Sequence, residues 1–157
     1  MTTDRQIAGR FNASIGQRYR TLLVGGALEP LYIPSVGRVP AIIHYTRDYA
    51  QSVLHEVSHW CLAGNARRRL RDYGYWYVPP PRSDDEQAAF YAVEKYVQAL
   101  ESVLADACGL KFRVSADQIG ADVHDFACTV ADLAHRIRNQ GIRGRAAEVL
   151  AALRTQG

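Results

Sequence analysis

The segment His55-Glu56-Val57-Ser58-His59 is an HExxH pattern. It can form a metal site only if the segment is helical, so it constrains the fold. On an α-helix, residues i and i+4 lie on the same face, so the two imidazoles can reach one ion. Glu56 then projects beside them, where it can contact a metal-bound water. The pattern also occurs as two surface histidines flanking a glutamate, so the remaining sequence has to support a metal site.

The residues around the pattern predict an amphipathic helix over 48–63. Gly64 follows at the position where a helix C-cap favours glycine. His55 and His59 point to roughly the opposite side from the apolar residues, so the helix can pack on one side and line a cleft with the other. The apolar stripe consists of Ala50, Leu54, Val57 and Cys61.

The composition is that of one ordinary domain. With 157 residues and 48% hydrophobic content, the chain can bury a core without disulfides. No signal peptide or membrane-spanning apolar segment is apparent, so we expect a soluble cytoplasmic protein without membrane contact. The net charge is +3, but no nucleic-acid-binding module accompanies the arginines, and we expect no direct nucleic-acid partner.

The cysteines do not form a disulfide or zinc-knuckle pattern. Their number is odd and they lack CxxC spacing. We therefore expect small hydrophobic core residues at Cys61, Cys108 and Cys128.

The N-terminal third predicts a helix and a small sheet. Thr3 and Gln6 form a capping-box pattern before a helix that should end near Gly16. Two short β-favouring segments, 31–33 and 41–45, are bounded by proline and glycine and predict brief strands.

The rest of the chain is predicted to be mainly helical. Asn65 is expected to cap a short arginine-rich helix, and residues 73–78 predict an aromatic strand before three prolines. Ser83 and Glu86 form a capping box for a long helix that reaches about Cys108 and closes at Gly109. Ser115 and Gln118 repeat the capping pattern before another long helix, and a last helix is expected over 145–153.

Together these elements predict an α+β fold, with a mostly helical single domain over 1–157 and a small sheet. The long helix has two faces of different character. Its apolar face is formed by Val93, Tyr96, Leu100, Val103, Leu104 and Ala107, and its polar face by Gln87, Glu94, Gln98 and Glu101.

Two histidines do not complete a catalytic metal site, and a carboxylate on a following helix commonly provides the third ligand. Glu94 and Glu101 are the candidates, because they are two turns apart on one face of the long helix. This would give a zincin-like arrangement of an HExxH helix and a glutamate-bearing helix. Periodicity does not choose between the two glutamates.

A site with two histidines and one carboxylate permits two different reactions. Zinc would keep an open position for water, and Glu56 would act as the general base of a metallopeptidase. Iron(II) would use the same ligands as a facial triad, with positions for O2 and a substrate, and the result would be hydroxylation. A metal-stabilised binding domain without catalysis is a third possibility.

A longer stretch around the motif resembles the elongation factor P hydroxylase family. The resemblance rests on 55–68, beginning with His-Glu-Val-Ser-His-Trp-Cys, and on 72–77, Asp-Tyr-Gly-Tyr-Trp-Tyr. It continues upstream at Glu29-Pro30, Tyr32 and Pro34, and downstream at Phe90, Val93-Glu94 and Gln98-Ala99-Leu100. In all it covers residues 29 to 104.

The resemblance implies a non-haem iron-dependent hydroxylase that acts on the modified lysine of translation elongation factor P. It implies metal ligands at His55, His59 and Glu94, which favours Glu94 over Glu101. Fe(II) would be the metal, with zinc possible, and O2 would be a co-substrate; no motif identifies the electron donor. Glu56 would orient a ligand or bound water.

A protein substrate requires contacts beyond the metal. The Arg67 to Arg71 cluster and the aromatic residues from Tyr73 to Tyr77 are suitably placed in the sequence to receive a lysine-bearing loop. The zinc metallopeptidase with Glu56 as general base remains the alternative function.

Overall fold

The computed structural model describes residues 1–75, 78–115 and 123–154. Within these ranges the chain is mostly helical, with one three-stranded sheet. The predicted combination of many helices with a small sheet is therefore confirmed. None of the helices in the described part of the chain is long and apolar enough to cross a membrane.

The N-terminal helix α1 spans Asp4–Ala13 and starts with the predicted capping box. The Thr3 hydroxyl accepts a hydrogen bond from the backbone of Gln6, whose side chain accepts one from the backbone of Thr3. The helix ends at Ala13, slightly before the predicted end near Gly16, and a separate turn of helix, α2 (Ile15–Arg18), includes this glycine. A Cβ at Gly16 would lie 2.5 Å from the Thr21 carbonyl oxygen, so this position requires glycine to let β1 approach.

The sheet consists of β1 (Thr21–Ala27), β2 (Leu31–Ile33) and β3 (Ala41–Thr46), in the order β1-β3-β2. The sequence predicted β2 and β3 but not β1. The central strand β3 pairs with β1 in parallel and with β2 in antiparallel orientation. One face of β3 is buried, through Ala41, Ile43 and Tyr45, and packs against the helices.

The HExxH segment lies in α3 (Ala50–Leu62), and Gly64 follows with a φ of +79°. This left-handed conformation is the one expected of a glycine that ends a helix. Leu54 and Val57 of the predicted stripe are buried, and Ala50 and Cys61 are packed at its border. The buried face is wider than predicted, because it also includes Val53 and Trp60.

The long helix α5 spans Asp84–Ala107 and begins with the predicted Ser83 and Glu86 capping box. Gly109, with a φ of +68°, follows its C-terminal end. The helix packs on α3 and on α6 (Val123–Gln140), while α7 (Gly144–Leu153) closes the core against α1 and α3. The core around α3 and the sheet includes Ile7, Phe11, Ile43, Leu54, Trp60, Leu104, Val149 and Leu153.

The prediction for the faces of α5 is partly wrong. Leu100, Val103 and Leu104 are buried as expected, but Val93 and Tyr96 are 38% and 50% exposed. The polar stripe at Glu94, Gln98 and Glu101 is instead buried, because it packs against α3 and finds hydrogen-bonding partners there and in the Ser115 backbone.

The segment between α3 and α5 also differs from the prediction. Asn65 lies inside a four-residue helix, α4 (Gly64–Arg67), and makes no N-terminal cap. The strand predicted over 73–78 is wrong at its start, because Tyr73 and Gly74 belong to a 3-10 turn, Arg71–Gly74, in which Asp72 and Tyr73 have φ of +51° and +60°. Trp76 and Tyr77 lie outside the described residues, as does Gln118 of the third predicted capping box.

The three cysteines are free, and they differ in burial. Cys108 is buried as predicted, and Cys61 is partly buried. The prediction is wrong for Cys128, which is exposed on α6.

The packing of α3 provides a test of the core. Leu54 is completely buried, whereas Leu62 on the same helix is 47% exposed. Leu54→Ala should lower the free energy of unfolding by about 2–5 kcal/mol, because it removes buried methyl groups and leaves a cavity. Leu62→Ala should change it by less than about 1 kcal/mol. Urea denaturation of both variants measures the difference, and equal losses would contradict the assigned face of α3.

Candidate metal centre

The candidate site lies where the histidines of α3 face the polar stripe of α5. His55 and His59 are one turn apart on α3, and their rings are 4.9 Å apart at an interplanar angle of 75°. Both side chains remain partly exposed, at 25% and 22%. Glu94 and Glu101 on α5 are almost completely buried, at 8% and 6% side-chain exposure. The histidines are therefore the partly solvent-exposed members of this group, and the carboxylates are its buried members.

Glu94 reaches both histidines of the motif. Its Oε1 is 3.0 Å from His55 Nε2, and its Oε2 is 3.6 Å from His59 Nε2. One ligand atom from each of these three residues can be chosen so that all lie within 4.8 Å of one another. Among the described residues, His55, His59 and Glu94 are the group that can hold a metal ion in this way.

Glu101 occupies a different position from Glu94. Its Oε2 is 2.8 Å from His55 Nδ1, the ring nitrogen on the other side from Glu94. Glu101 therefore orients the His55 ring and does not face His59. The sequence left these two glutamates open as third ligand, and the structure brings Glu94, not Glu101, to the pair of histidines.

Gln98 lies between the two glutamates on the same face of α5 and is completely buried. Its Nε2 donates to the Ser115 carbonyl at 2.5 Å, and its Oε1 accepts from the Ser115 N–H at 3.0 Å. Nε2 also lies 3.4 Å from Glu94 Oε1. Gln98 thus fixes the segment after α5 and supports the Glu94 carboxylate.

Burial and the close carboxylates set the electrostatics of the histidines. Desolvation by itself would lower the pKa of His55, but the hydrogen bonds to Glu101 and Glu94 outweigh it and raise that pKa well above the usual value. Desolvation and the nearby His55 lower the pKa of His59 to about 4. His59 is therefore neutral at physiological pH, which is the form that ligates metals.

The two carboxylates are affected in opposite directions. Desolvation would raise the pKa of Glu94, but the hydrogen bond and charge of His55 bring it below the ordinary value. Desolvation raises the pKa of Glu101, although its hydrogen bond to His55 opposes this. An ionised Glu94 is the form required of a metal ligand.

Glu56 lies beside this group but is not part of it. Desolvation and the charges of Glu94 and Glu101 raise its pKa to about 7, while His55 opposes the shift. In the part of the chain that the structure describes, Glu56 has no hydrogen-bond or ion-pair partner. Its carboxylate is therefore available to a ligand or a bound water.

An aromatic stack supports His59 from outside the motif. The Tyr73 ring stacks on His59 at a centroid distance of 6.4 Å and on Tyr32 of β2 at 4.3 Å. The backbone N–H of Tyr32 donates to the Asp72 carboxylate, which ties the 3-10 turn to the strand. The sequence analysis did not assign Tyr32 or Tyr73 to this support. Their place within the stretch that carries the family resemblance was the available signal.

A cleft of about 290 Å³ opens beside His59. Its walls come from α3, from α5 and from the segment that follows the 3-10 turn. They are mainly apolar and aromatic, and the lining residues are His59, Leu62, Ala63, Tyr75, Ala92, Val93, Tyr96 and Val97. A long aliphatic side chain would find apolar contacts here and would reach His59.

The arginines predicted to receive a substrate loop are distributed over different surroundings. Arg67 lies 4.3 Å from the centre of the Tyr75 ring and donates to the Tyr73 carbonyl, so it borders the cleft. Arg68 turns inward and donates to the carbonyls of Trp60 and Cys61. Arg67 therefore remains a candidate for substrate contact, whereas Arg68 also supports the fold.

Comparison with known proteins places this site in a family context. The model of the family described as elongation factor P hydroxylase matches residues 10–156. A protein of Haemophilus influenzae named elongation factor P lysine hydroxylase is 43% identical over 116 residues. That alignment covers 73% of this chain but 65% of the relative, so it spans less than two thirds of the relative's length.

The family match includes α3, α5 and all the residues of the candidate centre. The resemblance seen in the sequence was limited to residues 29 to 104, and the family model extends it in both directions. The chain, with two histidines of an HExxH helix facing a buried glutamate on a second helix, belongs to the elongation factor P hydroxylase family.

Proposed function

We propose that this protein is a non-haem iron-dependent hydroxylase that acts on the modified lysine of translation elongation factor P. The observation that carries the proposal is the position of Glu94, whose carboxylate faces both histidines of the HExxH helix, one of which, His59, lines an apolar cleft. Membership of the elongation factor P hydroxylase family supports the choice of substrate.

The donor set fits an iron ion. His55, His59 and Glu94 offer two imidazole nitrogens and one carboxylate oxygen, which is the ligand set of the two-histidine, one-carboxylate Fe(II) oxygenases. When bound, Fe(II) would supply the redox chemistry that allows O2 to hydroxylate a carbon. The same donors are acceptable to zinc.

The surrounding residues prepare these ligands. His55 can donate its Nδ1–H to Glu101. Its other ring nitrogen, Nε2, then faces Glu94 and would be the atom that binds a metal. Tyr73 stacks on His59 and limits the rotation of that ring. Gln98 supports Glu94 through its amide group. The ligands are thus held by neighbouring side chains in addition to their own helices.

The cleft beside His59 is proposed to admit the methylene chain of the lysine. Its apolar walls contact the chain and exclude water from the carbon that is hydroxylated. Arg67 and Tyr75, at its border, are proposed to contact the protein that carries the lysine. Glu56 is proposed as a catalytic residue that orients a water or a ligand.

The proposal includes the remaining general features expected from the sequence. We propose that residues 1–157 form a single metal-dependent catalytic domain. The arrangement of the HExxH helix and the glutamate-bearing helix is proposed to be zincin-like. Because the proposed substrate is a translation factor, we propose the cytoplasm as the place of action.

One observation favours a second candidate, a zinc metallopeptidase with Glu56 as general base. Glu56 carries a carboxylate beside the histidines that has no partner among the described residues, which is the arrangement required of a base that acts on water. In this case the cleft would accept an apolar side chain of a peptide.

The metal ligands can be tested through metal content. His59→Ala and Glu94→Gln should abolish stoichiometric iron in anaerobically purified protein, because each variant lacks one of the three proposed metal ligands. Glu101→Gln should retain the ligands and weaken iron affinity about 10–100-fold, since it only orients His55. His135→Ala, on the exposed side of α6, is the matched control and should bind iron normally. Full iron content in His59→Ala, measured by elemental mass spectrometry, would contradict the assignment.

The substrate can be tested by intact mass. Elongation factor P with the modified lysine, co-expressed with this protein, should gain one oxygen atom on that lysine. Co-expression with Glu94→Gln should give no gain, because this variant lacks the carboxylate that faces both histidines. Peptide mapping assigns the position. An unchanged mass with iron-loaded, folded enzyme would overturn the proposed function.

Glu56 separates the two candidate reactions. Glu56→Gln should retain iron, because Glu56 is not a metal ligand. It should slow lysine hydroxylation about 10–100-fold, because the variant loses the carboxylate that is proposed to orient a water or a ligand. Single-turnover kinetics with the iron-loaded variant measure the rate. If the protein instead cleaves casein when loaded with zinc and Glu56→Gln abolishes that cleavage, the peptidase is the correct function.

A further inference from the structure

A second cleft, of about 240 Å³, lies on the side of α3 that carries Trp60. It is bounded by Tyr19, which follows α2, and by residues from the sheet, α3, α4 and α7 and the segments next to them. It shares no lining residue with the cleft beside His59. Three arginines and three aromatic rings characterise it: Arg68, Arg69, Arg145, Tyr19, Tyr32 and Trp60. We call it the arginine cleft.

The positive charge of the arginine cleft is not balanced by acidic side chains. Arg68 directs its guanidinium to neutral acceptors, the carbonyls of Trp60 and Cys61 and the amide oxygen of Asn65. Within the described ranges, none of the three arginines has an ion-pair partner. The nearby carboxylate of Glu148 is held by Arg18 at 2.6 Å and accepts a hydrogen bond from the Tyr19 hydroxyl.

Arg145 is held in the cleft by aromatic rings. Its guanidinium lies 3.9 Å from the centre of the Tyr19 ring and 4.7 Å from that of Trp60. Arg68 approaches Trp60 at 5.3 Å. Stacking fixes the plane of a guanidinium while its N–H groups stay available for a ligand.

Two further observations favour binding of an anion in this region. The indole Nε1 of Trp60, a residue that lines the cleft, is buried and has no hydrogen-bond partner within the described part of the chain. Desolvation and the charge of Arg145 lower the pKa of Arg68, which means that the positive charges of Arg68 and Arg145 repel each other. A bound anion would relieve this repulsion.

We propose that the arginine cleft binds a phosphate group, as inorganic phosphate or as a phosphomonoester of a small molecule. Guanidinium groups match the oxygen geometry of phosphate and of carboxylate. Three of them, with no acid between them, suit a doubly charged tetrahedral anion better than a single carboxylate. The cleft volume leaves room for a small group attached to the phosphate, next to Tyr32 and Trp60. This inference does not depend on the proposed hydroxylation.

Isothermal titration calorimetry of the full chain tests the site with inorganic phosphate, methyl phosphate and acetate, each as a sodium salt at fixed ionic strength. Phosphate should bind at one site and acetate should not. Arg145→Gln should weaken phosphate binding about tenfold or more, because it removes charged hydrogen bonds to the anion. Stronger binding of methyl phosphate than of inorganic phosphate would identify a phosphomonoester as the ligand, and the reverse order would identify the free ion.

The control is Arg143→Gln, which removes the same charge from an exposed position outside the cleft. It should leave phosphate binding unchanged. If Arg145→Gln alters the circular dichroism spectrum, Arg69→Gln replaces it, because Arg69 is exposed and lines the same cleft. Absence of phosphate binding, equal weakening by the control, or acetate binding as tight as phosphate would overturn the proposal.

Discussion

Glu94 and Glu101 lie on the face of α5 that packs against α3, and each is almost completely buried. A carboxylate in such a position is costly unless it has a partner, because burial removes its hydration. His55 meets both of them, one with each ring nitrogen. The register between α3 and α5 is therefore fixed by a polar contact as well as by apolar packing. Displacement of either helix along its axis would leave buried carboxylates without partners.

The same contact explains the asymmetry of α3. One side of this helix carries Leu54, Val57 and Trp60 into the core, while the other presents two histidines to an opening. Burial of the apolar side holds α3 in the fold, so the histidines on the other side do not have to be buried for the helix to be stable. Tyr73, from the 3-10 turn, contacts His59, and Gln98, from α5, contacts Glu94. The geometry of the centre is thus shared among α3, α5, β2 and the turn before α5.

Local signals in the sequence predicted several parts of the fold. The capping boxes at Thr3 and Ser83 and the glycines that follow α3 and α5 are found where they were expected, since each depends on hydrogen bonds or backbone angles within a few residues. The HExxH helix and a glutamate of α5 were also expected to meet. The choice of Glu94 from the family resemblance agrees with the geometry, whereas periodicity alone treated Glu101 as its equal.

Other features depend on contacts that a local pattern does not contain. The stripe through Gln98 was predicted as the polar side of α5, yet it is buried because its partners come from α3 and from Ser115. Strand β1 was missed, since its Val-Gly-Gly-Ala end lacks a β-favouring pattern and pairing with β3 defines it. Aromatic residues favour strands, so the sequence predicts a strand from Tyr73 onward, whereas Asp72 and Tyr73 adopt left-handed angles in a 3-10 turn.

Helix α7 has a consequence for the order in which contacts of this molecule can form during synthesis on the ribosome. The residues of the metal centre, together with Glu101, precede Ser102 in the sequence, so all of them are synthesised before α7. Val149 and Leu153 of α7 are completely buried, and Arg10 of α1 donates to the Leu153 carbonyl. The apolar contact between α1 and α7, and the stacking of Arg145 on Trp60, can therefore form only after α7 has been synthesised.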